Sequence, residues 1–257
     1  MKRIIDKATL YCLLCFSVLF GNTTYAEPLK LVAFQYPPLV YQQNGEIIGV
    51  ATELVRAVFN ELGVQIEIEM LPWARSLQYL QSGQADGVFT IFKNPQRQTF
   101  LLYPDEPLIE QTISLYTARD KPINFSEKLS DLAPYRIGLT RAVSYGERFD
   151  AAMRDTLTNL TVVNDEQAKF MLLAKGRVDV VVSSIGIADF YIEKLQLDNQ
   201  ISRIPTEIQR VPSYVAFAKT PANRLRVNRF EKALRQLKLS GRYDQIVNSA
   251  ALPEADH

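Results

Sequence analysis

SGQADGVFTIFKNPQR, residues Ser82 to Arg97, sets the reading of the whole chain. Gly83 is a helix stop, because only glycine enters the left-handed cap conformation without penalty. Asp86 to Ile91 is then a short apolar run of buried-strand length. The strand runs out at Thr90, and a polar turn, Lys93-Asn94-Pro95-Gln96, delivers Arg97. The same phrase returns as LAKGRVDVVVSS, Leu173 to Ser184. In both copies an apolar-periodic helix stops at a glycine, and an aspartate follows three residues on. A hydroxyl follows seven residues after the glycine, Gly83 to Thr90 and Gly176 to Ser183. Two copies of one helix–turn–strand unit predict two similar α/β lobes. The carboxyl ends of strands border the ligand crevice in an open α/β sheet, so this reading faces Thr90 and Ser183 across a cleft.

Composition narrows the class. The chain has 257 residues, 47% of them apolar, with 29 basic against 28 acidic side chains, so it can build real cores and carries no basic field for nucleic acid. Residues 1–26 read as a secretory leader. Lys2, Arg3 and Lys7 form the positive end, Ala8 to Gly21 the apolar run, and Thr24-Tyr25-Ala26 the small-residue cleavage site. The run is shorter than the roughly 20 residues of a membrane span. The expectation is cleavage after Ala26 and a periplasmic mature protein; the rival is an uncleaved anchor. A lipid on Cys15 is disfavoured by bulky Leu14. Both cysteines, Cys12 and Cys15, leave with the leader, and the single histidine is His257. A Ser-His-Asp triad, a cysteine nucleophile and a histidine-ligated metal therefore lack their parts. Neither a metal nor a cofactor is expected.

From Glu27 onward the pattern is α/β. Leu29–Phe34 reads as a strand, and Tyr36-Pro37-Pro38-Leu39 as a stiff turn. Asn44-Gly45 marks a hairpin. Thr52–Leu62 is an amphipathic helix ended by Gly63, Val64–Met70 an alternating strand, and Pro72 opens the next helix. Gln111–Thr117 is a strand with a first inter-lobe crossing near 112–117. Then come strand Arg136–Leu139, helix Glu147–Asp155, strand Leu160–Val163 and helix Glu166–Lys175 capped by Asp165. Ile201–Ile208 and Ser213–Phe217 read as separate strands with the second crossing near 210–214. Helix Asn223–Lys238 and a short helix from Tyr243 close the chain.

The order of these pieces resembles the family 3 extracellular solute-binding proteins, the periplasmic receptors of amino-acid ABC importers. The resemblance covers residues 28–248. It rests on Tyr36-Pro-Pro-Leu, Asn44-Gly-Glu-Ile-Ile-Gly49, Leu80-Gln-Ser-Gly-Gln-Ala-Asp86-Gly, Asn94-Pro-Gln-Arg97, Gly176-Arg-Val-Asp-Val-Val-Val and Leu237-Lys-Leu-Ser-Gly-Arg-Tyr-Asp-Gln-Ile246. It implies a two-lobed periplasmic-binding-protein fold with two inter-lobe hinge crossings. Lobe 1 would comprise residues 27–114 and 214–257, and lobe 2 residues 115–213. It also implies a monomer that closes on a small-molecule solute and meets an ABC-importer membrane component.

Arg97 matches the family arginine that holds a ligand carboxylate, for which a planar guanidinium fork is suited. The expectation is that Arg97→Ala destroys affinity and leaves unfolding of the free protein unchanged. Position 92, often a hydroxyl residue in the family, is Phe92. Where an aspartate commonly meets the ligand ammonium, this chain has Ser184; where Gly-Phe-Asp is usual, it has Gly49-Val50-Ala51. The acidic grip on an α-amino group is thus missing. Trp73 and Arg75 form the cleft's apolar wall and second cation, or else an ordinary core ring and a solvated helix residue. If both arginines reach the cleft, a dicarboxylate fits best. Tyr36 and Tyr41 line a pocket or pack as satellite aromatics. Arg141 to Ser144 resembles a backbone anion seat at a helix start.

Two alternatives remain open. One is an enzyme on the same scaffold, dehydratase-like, with Glu53, Glu106 or Glu147 as acid–base group. The other is a soluble sensor docking on a membrane signalling protein.

Overall fold

A computed structural model describes residues 27–250. The expected leader at residues 1–26, with Cys12, Cys15 and the expected cleavage point, and His257, lie outside the described residues.

The first half of the chain builds β1 (Leu29–Ala33), a hairpin of β2 (Tyr41–Gln43) and β3 (Glu46–Ile48), and α1 (Val50–Glu61). β4 (Ile66–Met70), α2 (Trp73–Ser82), β5 (Gly87–Phe92), α3 (Pro95–Gln98) and β6 (Leu101–Leu102) follow. α1 buries Ala51, Leu54, Val55 and Val58, the stripe its periodicity predicts. α2 starts after Pro72 and stops at Gly83, whose φ of 74° is left-handed while the space around an added Cβ is open. That glycine is there for its dihedral alone.

β7 (Ile109–Ala118) leads into the second half: a 3-10 turn (Leu129–Leu132), β8 (Ile137–Thr140), α4 (Glu147–Asp155), β9 (Leu160–Val163), α5 (Glu166–Ala174), β10 (Val180–Ser184) and α6 (Ile185–Lys194). β11 (Ile201–Ala218) returns, followed by α7 (Pro221–Leu239) and α8 (Arg242–Ala250).

The strands run in the order β4-β1-β5-β11-β7-β10-β8-β9, with β6 also on β11. β1 is parallel to β4 and β5, and β8 to β9 and β10. Between these parallel trios lie β7 and β11, long and antiparallel. Ser213–Phe217 of β11 pairs with β5, while Ile113–Thr117 of β7 pairs with β10. These two strands are the inter-lobe crossings.

The repeated phrase is a repeated hydrogen-bond device. Asp86 Oδ2 accepts from Lys30 N at 3.0 Å, and Asp86 N donates to Lys30 O at 2.8 Å. In the second copy Asp179 Oδ2 accepts from Arg136 N at 2.8 Å, and Asp179 N donates to Arg136 O at 2.8 Å. Each aspartate clips its own strand to the neighbouring parallel one at the end remote from Thr90 or Ser183.

Two elements depart from the pattern reading. Ile201–Ala218 is one strand and not two, because register irregularities near Pro205 absorb the residues that cannot join the ladder. α6, unmarked in the sequence reading, follows β10 with no loop at all. It buries Ile187, Ala188, Tyr191 and Ile192, and its Phe190 packs on Tyr41 at 5.8 Å.

Apolar packing forms three clusters. One, with Trp73, Val88 and Ile91, is centred on the first half and takes in Ala216 of β11, and one, around Phe149, Ile137 and Val182, is centred on the second. The largest spans both, from Leu54 and Phe230 to Phe170 and Ile187. The halves are packed together, not merely tethered by β7 and β11.

Candidate functional site

β5 bends before it ends. Thr90 sits at φ +62°, unusual for a β-branched residue, with its hydroxyl bonded to Phe89 O at 2.6 Å. Asn94 then caps the turn of α3, its Oδ1 accepting from Arg97 N at 2.8 Å, with Pro95 at the first helical position. This local chemistry turns Arg97 back toward the strand end.

Arg97 is only 6% exposed. Its Nη1 donates to Phe92 O at 2.9 Å and its Nη2 to Ala142 O at 3.3 Å. The guanidinium lies 5.2 Å from the centre of the Trp73 ring, in cation–π range. Trp73 Nε1 donates to the same Ala142 carbonyl at 2.7 Å. Trp73 and Arg97 come from the first half of the chain and Ala142 from the loop after β8, so one carbonyl joins the two halves. Burial lowers the Arg97 pKa; nearby Tyr103 and Asp150 act in the opposite direction.

Around this guanidinium is a narrow crevice lined by Phe34, Tyr36, Trp73, Thr90, Ile91, Phe92, Arg97, Val143 and Ser144. Of the residues singled out in the sequence, six meet here: Arg97, Thr90, Phe92, Tyr36, Trp73 and Ser144. Trp73 is the wall, packed on Phe34 at 4.6 Å. Ser184 is one contact away: Tyr36 Oη is 3.4 Å from Ser184 Oγ and donates to Gln111 Oε1 at 2.8 Å. Burial pushes the Tyr36 phenol far above its ordinary pKa, so it stays a neutral donor.

Three expectations are corrected. Arg75 is exposed on α2 and is not a second cation of the crevice, because Trp73 and Ser76 take the inward face of that helix. Arg141 is exposed and bonds Asn164 Oδ1 at 3.0 Å, outside the crevice. Ser183 does not face Thr90; its hydroxyl is buried against Glu166 Oε2 at 3.4 Å. Successive strand residues point to opposite faces, so Ser184 reaches Tyr36 and Ser183 cannot. Tyr41, the other aromatic of that turn, packs on Phe190.

The carboxylates considered for acid–base work lie elsewhere. Glu53 pairs with Arg56, Glu106 with Lys238, and Glu147 with Arg154. Among the described residues no cluster of His, Cys, Asp or Glu could hold a metal ion, and no helix is long and apolar enough to cross a membrane.

Sequence reasoning missed Phe34, Val143, the Ala142 carbonyl and Asp150. Phe34 was findable, since it follows the first strand at its carboxyl end. Ala142 had no signal: its part is played by the backbone, at φ +59°. Asp150 accepts from Ser144 Oγ and, at 2.8 Å, from Tyr145 N. Burial raises its pKa, while Ser144, Tyr145 N and then the Arg97 charge pull it down.

The sequence model of the bacterial extracellular solute-binding proteins, family 3, matches residues 31–250. The probable amino-acid-binding protein YxeM of Bacillus subtilis (strain 168) is 20% identical over 206 residues, 79% of this chain and 76% of that protein. A putative sensor protein of Shewanella frigidimarina (strain NCIMB 400) is 24% identical over 213 residues. That match takes 82% of this chain but only 31% of the sensor's length. Among solved structures, a histidine kinase sensor domain with similarity to periplasmic binding proteins superposes with a TM-score of 0.77 at 22% identity, covering 88% of this chain and 96% of the domain. The two-lobed α/β fold is thereby shared, and the extent of the family match decides membership: the chain belongs to the bacterial extracellular solute-binding proteins, family 3.

Proposed function

We propose that this protein is exported and captures a small carboxylate-bearing solute, an amino acid or related acid, by closure of its lobes, without converting it. Lobe 1 would be residues 27–114 and 214–257, lobe 2 residues 115–213, and the closed monomer would deliver its solute to an ABC-importer membrane component. The observation that carries this reading is Arg97, a buried guanidinium at the rim shared by both halves, hydrogen-bonded at Nη1 and Nη2 to backbone carbonyls only. A guanidinium has five N–H donors, so donors remain for a planar anion. Charge-assisted bonds of this kind contribute about 1.5–3 kcal/mol. A solute bridging both lobes would favour the closed state through contacts that exist only when closed.

Calorimetric titration of the purified protein with a panel of amino acids and small carboxylic acids tests it. A binder should be found whose affinity disappears in Arg97→Ala and weakens in Arg97→Lys, which keeps the charge and loses the fork. Equal affinity in Arg97→Ala would remove Arg97 from the site.

A second reading, a ligand sensor for a membrane signalling protein, is favoured by the similarity to the histidine kinase sensor domain and to the putative sensor protein. The binding chemistry would be the same. Site-specific crosslinking in membranes with solute present separates the two by whether a transporter subunit or a signalling receptor is captured.

A further inference from the structure

We propose that the crevice selects a monocarboxylate with an apolar or aromatic body and no α-ammonium group; this rests on the carboxylate reading above and sharpens it. The crevice holds one formal charge, the cation of Arg97, and no carboxylate lines it. The two nearest acids of lobe 2 are spoken for. Asp150 is committed to Ser144 Oγ and Tyr145 N and, with Arg97, Val143 and Ser144, lines an adjoining groove rather than this crevice. Glu166 is paired with the fully buried Lys169 at 2.6 Å, and its other oxygen accepts from Thr140 Oγ1 at 2.6 Å. An ammonium entering here would leave water to sit beside a guanidinium without an acidic partner, an arrangement heavily penalised at low dielectric.

The rest of the wall points the same way. Phe34 packs between Tyr36 and Trp73, its ring centre 4.8 Å from the first and 4.6 Å from the second, so the three form one aromatic surface. Ile91, Phe92 and Val143 add apolar surface. Behind the Tyr36 phenol, outside the lining itself, Ser184 and the Gln111 amide are neutral as well. Gln111 Nε2 is buried without a hydrogen-bond partner.

The test is a calorimetric comparison of matched probes on the purified full protein: 3-phenylpropanoate, phenylalanine and phenethylamine, and 4-methylpentanoate, leucine and 3-methylbutylamine. The expected order in at least one series is the acid bound about tenfold or more tighter than the amino acid, with no binding of the amine. An amino acid that equals or beats its des-amino acid overturns this inference and leaves the carboxylate reading standing. Amines that bind overturn both; no binding by any of the six overturns this inference and leaves the carboxylate reading to the wider panel. Thr90→Asp places an acid on the wall at a left-handed position aspartate tolerates. It should shift the preference toward the amino acid. A folded Thr90→Asp protein with an unchanged order would show that this wall does not meet the solute, and would overturn the assignment.

Discussion

The two repeated units use one backbone device to different ends. In both, a glycine with left-handed φ ends a helix, and an aspartate clips the following strand to its parallel neighbour. Each unit also buries one cation. In the second the cation is Lys169, ahead of the strand, and it is satisfied inside its own lobe by Glu166 at 2.6 Å and Val182 O at 2.7 Å. In the first the cation is Arg97, beyond the strand, and its partners are the carbonyls of Phe92 and Ala142. The difference begins where the strands end. β5 bends at Thr90 and passes into a capped turn, whereas β10 runs directly into α6. A duplicated scaffold thus becomes asymmetric: one half presents a charge at the crevice, and the other neutralises its own and offers backbone and hydroxyl groups.

Breaking the buried pair should have the largest effect. Lys169→Met leaves the buried Glu166 carboxyl without its charged partner, and urea unfolding should register a loss of about 3–5 kcal/mol. Adding Glu166→Gln to that variant should recover much of it, since no unpaired charge remains.

Removing the other cation should cost less. Arg97→Ala deletes two charge-assisted bonds to carbonyls and the contact with Trp73, a loss of about 1.5–3 kcal/mol in the free protein. The sequence reading expected no such change, because it treated Arg97 as a ligand residue only. The bond to Ala142 also links the halves, so small-angle scattering of Arg97→Ala should show a more open particle than wild type.

The shared device predicts equality. Gly83 and Gly176 have φ of 74° and 64°, and an added Cβ meets little or nothing at either. Gly83→Ala and Gly176→Ala should each lower stability by about 1–2 kcal/mol, the penalty of a left-handed alanine. Thermal unfolding of the two variants should match; a large inequality would mean that the copies are not equivalent.

The smallest effect concerns pH. The Arg136 guanidinium beside Asp179 holds that carboxyl below its usual range. A depressed folded pKa stabilises above the unfolded value and ceases to do so as pH falls through the folded one. Because Arg136 and Asp179 are 43% and 31% exposed, solvent screening limits this to about 0.2–1 kcal/mol. Acid unfolding of Asp179→Asn should therefore lack a small part of the wild-type loss below the ordinary carboxylate range, in low salt and not in high.

Much of this was legible from local pattern. Gly83, Gly176 and Gly63 ended helices where cap geometry required, and Asp86 and Asp179 took strand starts away from the crevice. Arg97, Trp73, Tyr36, Thr90, Phe92 and Ser144 converge because each lies at a strand end or helix start on the side that α/β topology turns toward the switch point. The errors share one cause. Arg75 lay two positions from Trp73 on a helix, Arg141 two from Val143 in a loop, and Ser183 one residue from Ser184 on a strand. On helices and strands so small a step carries a side chain to another face.

The amino-acid sequence by itself determined the local units: which residues are apolar at strand or helix period, where glycine and proline interrupt them, and that two copies of one unit exist. These are short-range consequences of sterics and side-chain chemistry. Only the tertiary structure decided which cation is spent and which is offered, and that the Ala142 carbonyl joins the two halves. The carbonyl lies 45 residues from Arg97, and although Glu166 is only three from Lys169, the burial that commits that pair comes from β10, whose Val182 O also accepts from Lys169. A backbone carbonyl has no identity in sequence, and its place at the crevice arises only when the chain has folded back on itself.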